Sequence, residues 1–211
     1  SDVYKRQVAV LTIIAIEVFF WIFLQFPSWN NLFGAPKATS IRVYYNHLRN
    51  IIQFQPDCAQ YDDELTYLLK PGECEFSNLE FSTHFSVNEA GLRDDAKSLI
   101  APEVIMIGDS YTLGWGVEQQ ETFTQQIEQL TGKKTLNAGM SSFGTARETA
   151  LLKRLDTSDL RWLIVQYCNN DFEENRAFVE NDFQLKPTSK EDYEGLCAAH
   201  VSRKKYSPLL Y

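Results

Sequence analysis

The chain has 211 residues, of which 44% are hydrophobic and 13% aromatic, so it carries ample material for a packed core and is not an intrinsically disordered chain. Its net charge is −8 at neutral pH, which excludes a basic nucleic-acid-binding surface and opposes tight adhesion of a soluble portion to anionic lipid. The opening Ser-Asp-Val-Tyr-Lys-Arg-Gln lacks a methionine, as expected for a fragment or a processed product.

Residues 8–26 read VAVLTIIAIEVFFWIFLQF, nineteen residues with the single charge Glu17. As a helix this segment spans about 28 Å, close to the hydrocarbon core of a bilayer. It is apolar all round, unlike the one-sided stripe of a soluble surface helix. Lys5 and Arg6 precede it and Trp29 follows, so the positive-inside rule places the N-terminus in the cytoplasm and the chain after Pro27 outside, in the periplasm or extracellular space. Gln25-Phe26-Pro27-Ser28 is a poor cleavage site, so an uncleaved single-pass anchor is expected. Glu17 costs such a span about 2.5–3.5 kcal/mol on insertion scales. The expected organisation is an anchor over 1–26, an extracytoplasmic region over 27–100 and an α/β domain over 101–211.

In the middle region, residues 41–54 suit either a helix or two short strands. Cys58 and Cys74 flank a polar, turn-rich stretch. In an oxidising compartment they would close a loop worth about 3 kcal/mol; the alternative is two free thiols. Cys168 ends an apolar run and is expected to be a buried small hydrophobe. Leu69-Lys70-Pro71-Gly72 and Asn88-Glu89-Ala90-Gly91 are turn signals around a stretch of strand-like alternation.

From Val104 the pattern changes. Val104-Ile105-Met106-Ile107, ended by Gly108, predicts a buried strand. Phe123, Ile127 and Leu130, stopped by Gly132, predict a helix. Thr135-Leu136 begins a second strand ended by Asn137-Ala138-Gly139. Thr145-Ala146-Arg147-Glu148 has the pattern of a capping box opening a second helix. Residues 162–167 are a third strand. This alternation implies a parallel sheet covered by helices. Three polar clusters follow the strands: Gly108-Asp109-Ser110-Tyr111-Thr112-Leu113-Gly114, Asn137-Ala138-Gly139-Met140-Ser141-Ser142, and Asn169-Asn170-Asp171. In such a sheet the carboxyl ends of the strands share one edge, so the clusters are expected to converge there.

In that order the three clusters resemble blocks I, II and III of the GDSL/SGNH serine hydrolases, over about residues 101–175, with weaker likeness in Asn88-Glu89-Ala90-Gly91-Leu92-Arg93-Asp94. The resemblance implies a three-layer α/β/α, flavodoxin-like fold, incomplete at its C-terminus. It implies Ser110 as nucleophile, an acyl-enzyme intermediate and no cofactor or metal. The oxyanion donors would be the Ser110 N–H, a second-cluster N–H from Gly139 or Ser142 (with Gly144 as a further alternative), and the Asn170 amide. Gly108 would let the chain leave the strand sharply, while Asp109 and Asp171 would hold their loops in supporting roles. Tyr111, Trp115 and Phe143 are weighed as acyl-pocket or core residues, and Glu173 and Glu174 as a solvated helix start. The Arg203-Lys204-Lys205 run reads as a solvated face.

This sequence departs from the family pattern twice. Ser142 stands where block II usually has glycine, and no histidine has an aspartate three residues before it, although the family's base is Asp-x-x-His. His47 and His84 precede the α/β domain and His200 lies in a helical extension, so the base is expected beyond Tyr211. The expected substrate is an acyl or acetyl ester of an envelope glycan or lipid. The alternatives are O-acyl transfer at the same site, or a membrane-tethered binding module without a base.

Overall fold

The computed structural model describes residues 2–23, 49–78 and 80–202. Helix α1 (Asp2–Phe23) holds the 20-residue stretch Tyr4–Phe23, which is long and apolar enough to cross a membrane. Val10, Leu11, Ile14, Phe19 and Trp21 are all exposed, as the absence of a single apolar stripe dictates. Residues 24–48, including the end of the expected span, most of 41–54 and His47, lie outside the described residues.

Asn50–Val201 form one compact unit, described by itself. No division appears near residue 100: the N-terminal part of this unit shares one hydrophobic cluster with the α/β part. Two antiparallel hairpins come first. Strand β1 (Ala59–Asp62) pairs with β2 (Thr66–Leu69), and β3 (Gly72–Ser77) with β4 (Ser82–Val87). In the second hairpin Cys74, Phe76, Thr83, Phe85 and Val87 are buried while their neighbours are more exposed, the two-residue period of a one-sided antiparallel sheet. A Cys58–Cys74 disulfide with a Cα–Cα distance of 5.5 Å ties the start of β1 to β3.

A three-stranded parallel sheet of order β6-β5-β7 follows. It comprises β5 (Val104–Gly108), β6 (Thr135–Gly139) and β7 (Trp162–Val165). The fold is thus mixed α/β. All five residues of β5 are buried, as its unbroken apolar run requires at the centre of a parallel sheet. Between β5 and β6 lie the short helix α2 (Ser110–Leu113) and α3 (Phe123–Thr131). Thr122 caps α3 by accepting from the Gln125 N–H at 3.3 Å, and Gly132 ends it at φ 67°. Leu130, expected on the apolar stripe of α3, is exposed, and Thr124 is buried in its place. Helix α4 (Thr145–Leu152) crosses from β6 to β7. Strand β7 stops at Val165, two residues earlier than expected, and all four of its residues are exposed; β5 is its only strand partner among the described residues.

The unit closes with α5 (Asn169–Glu180) and α6 (Lys190–Ser202). Helix α6 docks on the first residues of the unit: the Tyr193 hydroxyl donates to the Gln53 carbonyl at 2.7 Å, and His200 Nε2 accepts from the Ile51 N–H at 3.3 Å. Arg154 forks the Asp62 carboxylate at 2.7 and 3.0 Å and also binds Glu64, joining the turn after α4 to the first hairpin.

Replacing Cys58 and Cys74 together by alanine frees a loop with a sequence separation of 16 residues. The expected loss of stability is about 2–4 kcal/mol, measured as a lower denaturation midpoint of the double variant relative to the oxidised protein.

Candidate active site

The ends of the three parallel strands lie at one level. Gly108 is opposite Gly139, and Ile107 is opposite Val165. The loops that leave them therefore share one edge of the sheet. Backbone hydrogen bonds continue past the strands: the Met140 N–H donates to Gly108 O at 2.9 Å and the Gln166 N–H to Ile107 O at 3.0 Å. Gln166 Oε1 then accepts from the Asp109 N–H and from the Thr112 hydroxyl, each at 3.3 Å, linking the third loop to the first. Helix α2 lies directly against β6, and this contact demands glycine. A Cβ on Gly139 would stand 2.5 Å from the Thr112 carbonyl carbon, and one on Gly108 would stand 2.9 Å from Gln166 Cβ.

Asp109 and Ser110 form the turn from β5 into α2. The Asp109 carboxylate caps the turn by accepting from the Tyr111 N–H at 3.1 Å. Ser110 is the first residue of α2 and is half-buried, and its N–H and hydroxyl bond to no described residue. Arg93, buried completely, holds the far side of the loop. Its guanidinium donates to the carbonyls of Leu113 (3.3 Å), Gly114 (2.7 Å), Val117 (2.8 Å) and His84 (3.2 Å), while its Nε donates to Gln119 Oε1 at 3.0 Å. It also lies 3.7 Å from the centre of the Phe85 ring. Burial lowers its pKa to about 10. Arg93 remains cationic at neutral pH, and carbonyl dipoles satisfy its donors.

In the second loop, Asn137 lies within β6 rather than after it, opposite Met106. Its N–H donates to buried Asp94 Oδ2 at 2.8 Å, and its Oδ1 accepts from the Gly139 N–H at 3.0 Å. Burial raises Asp94 to about 6, against the lowering effect of the Asn137 and Asp95 N–H groups. The expectation that Gly139 supplies an oxyanion donor is corrected, because Asn137 already holds that N–H. The Gly144 N–H is likewise held, by Glu174 Oε1 at 3.1 Å. Beyond β6 the chain makes a β-turn closed by Phe143 N–H to Met140 O at 3.1 Å. Ser142 sits in it at φ 63°, the left-handed conformation for which glycine is favoured. Ser142 is exposed, and its N–H bonds to no described residue. The Tyr67 hydroxyl, from β2, donates to Ser141 O and pins this turn from below.

The third cluster is the first turn of helix α5, not a loop. Asp171 Oδ2 reaches back to the Cys168 N–H at 2.6 Å, which places Cys168 at the helix N-cap, half-buried rather than a core residue. Asn170 lies in this turn, with its side chain outside the described residues. Helix α5 also caps its neighbour. The expected capping box at Thr145 is absent: Gly144 is the N-cap of α4, without a side-chain bond. The orphan N–H groups of α4 are met across the interface by Glu174 Oε1, on Gly144 and Arg147 (3.4 Å), and by Asn175 Oδ1, on Ala146 at 3.1 Å. Glu174 also binds the Arg147 guanidinium, so it is not the solvated carboxylate expected. A carboxyl in the first turn of α4, Glu148, is left fully buried with neither oxygen hydrogen-bonded to a protein group.

Of the expected pocket residues, Phe143 is core, edge-on to Tyr67 at 5.4 Å, and Trp115 packs on Phe76 at 4.8 Å; only Tyr111 is exposed. His84 pairs with Glu73 at 3.1 Å and His200 accepts from Ile51, and neither hydrogen-bonds Ser110. Among the described residues no group of three His, Cys, Asp or Glu side chains is disposed to hold a metal ion. The parts played by Arg93, Asp94, Tyr67, Gln166 and Glu148 were not foreseen in the sequence, although Arg93 and Asp94 lie in the segment of weaker likeness and Glu148 in the expected capping box. The adjacent charges Arg93-Asp94 after a turn signal were the available clue for two of them.

No family model and no curated protein matches the chain.

Ser142→Gly is expected to stabilise the protein by about 0.5–1 kcal/mol by relieving the left-handed backbone, read as a higher Tm. Gly139→Ala is expected to cost several kcal/mol, about 3 or more, because the added methyl meets the α2 backbone, and to lower Tm sharply.

Proposed function

We propose that the protein is a membrane-anchored serine ester hydrolase of the GDSL/SGNH type, with a three-layer α/β/α core and its catalytic portion outside the cytoplasm. The observation that carries this reading is the common level of the three strand ends, which gathers Ser110, the Ser142 turn and the first turn of α5 on one rim. Ser110 attacks the ester carbonyl and forms an acyl-enzyme. The N–H groups of Ser110 and Ser142, free of other described partners, and the amide of Asn170 receive the developing oxyanion. Asp109 and Asp171 hold the turns on which these groups sit. The substrate class is an acyl or acetyl ester of an envelope glycan or lipid, a choice that rests on the family likeness and the apolar N-terminal helix. Resolution of the acyl-enzyme by a sugar hydroxyl instead of water would make the same site an O-acyltransferase.

A second reading has its own support. A serine nucleophile needs a base, and the described histidines are engaged by Glu73 and by Ile51. This favours a membrane-tethered module that binds acylated glycans without turnover.

A fluorophosphonate probe followed by intact-mass analysis separates the readings. In a chain extended through the expected Asp-x-x-His, Ser110 is expected to be labelled, Ser110→Ala to abolish labelling, and Asn170→Ala to slow it about 10²–10³-fold. No labelling of Ser110 in that extended chain, with binding of acetylated glycan retained, would overturn the hydrolase reading in favour of the module. Hydrolysis of p-nitrophenyl acetate by the 211-residue chain is expected to be slow.

A further inference from the structure

Near the rim, four carboxylates from three segments lie within electrostatic range of one another. Glu148 of α4 is faced by Asp109 from the β5–α2 turn and by Asp171 and Glu174 of α5. Glu148, Asp109 and Asp171 are buried, with Glu148 and Asp171 at 0% exposure. Three oxygens there accept from no protein group: both of Glu148 and Oδ1 of Asp171. The nearest cation, Arg147, is committed to Glu174 and to the Ser142 carbonyl at 2.5 Å. Asp109 and Asp171, by contrast, each accept a backbone N–H at a turn. The Thr145 hydroxyl, one turn back on α4, also lacks a partner, but it is neutral and offsets no charge.

We infer that Glu148 is a positioning residue that carries a proton in the native protein, and that this proton allows the Asp109 and Asp171 turns to lie side by side, making assembly of the rim pH-dependent. The neutral carboxyl supplies a donor where every other acceptor is a carboxylate, and it removes one like charge from a low-dielectric site. Burial, followed by the charges of Asp171, Asp109 and Glu174, raises Glu148 to about 8, against the weaker opposing effect of Arg147. Burial likewise raises Asp171. A carboxyl with a raised native pKa binds more protons folded than unfolded. Its contribution to stability is therefore complete below the unfolded value of about 4.5, declines as pH rises and is lost by about 8. Asp94, raised to about 6, contributes only to the lower part of that range.

The inference concerns the site of the proposed hydrolase, but its test uses no activity, so either can fail alone. Hydrogen exchange of the full chain in detergent micelles, corrected for intrinsic rates, is measured between about pH 6.5 and 8, where one linked proton gives about a tenfold change per pH unit. Protection of the amides around residues 168–172 and 109–111 is expected to fall by that factor in the wild type. In Glu148→Gln, which is neutral at every pH, it is expected to stay flat, with a Tm at pH 8 above that of the wild type. A wild-type profile without pH dependence at these amides would overturn the inference, and this arm needs no variant. So would Glu148→Gln losing the same stability at both pH values, since that outcome would show a contribution of Glu148 that does not depend on its proton.

Discussion

The register of β5 against its two parallel neighbours determines nearly everything built on the sheet. Gly108 is held opposite Gly139 while Ile107 is held opposite Val165, so three loops distant in sequence must begin at the same height. The loops then extend the ladder, through Met140 to Gly108 and Gln166 to Ile107, before they diverge. The close seat of α2 on β6 is a consequence: the backbone of Thr112 and Leu113 lies where a side chain on Gly139 would be. Any chemistry at Ser110 depends on that contact, because it sets where the first residue of α2 stands.

The segments before the sheet act as its scaffold. Burying a guanidinium costs several kcal/mol unless its donors are met, and Arg93 meets all of its own on carbonyls and one amide oxygen. That requirement works in both directions. The Arg93 fork fixes the loop after Ser110, and the loop's carbonyls are what allow Arg93 to be buried. Asp94 does the same for β6 through the Asn137 N–H, and Tyr67 for the second turn through Ser141 O. The Cys58–Cys74 bond and the Arg154 fork tie the two hairpins to each other and to the turn after α4. Residues 50–100 are thus part of the structure that shapes the rim, which explains why they do not separate as a body of their own.

One local strain lies at this rim, and neighbours hold it. Ser142 keeps a left-handed backbone while its carbonyl is bound by Arg147 and the adjacent Ser141 carbonyl by Tyr67. The side chains of Glu174 and Asn175 reach from α5 to cap α4, tying the two helices together. The acidic volume between them places like charges close together, a pattern often found where a protein tunes a site and not where it maximises stability.

The unbroken apolar run of β5, the Thr122 and Gly132 caps of α3 and the strand–helix alternation are local signals, so the parallel sheet and its mixed α/β class were legible in the sequence, as was a helix apolar enough to cross a membrane. The three polar clusters were legible for the same reason, since strand ends and turn residues mark themselves. Other features were not. Whether Gly139 has a free N–H depends on an Asn137 rotamer; whether Thr145 or Gly144 caps α4 depends on Glu174, thirty residues away in the chain; and the burial of Arg93 and Glu148 depends on carbonyls and carboxylates from several segments. Periodicity and turn chemistry determined the elements and their order, because those depend on neighbours along the chain. Which donors are spent, which charges are buried and which helix end is capped were decided only by tertiary structure, because each depends on groups that folding alone brings within hydrogen-bonding distance.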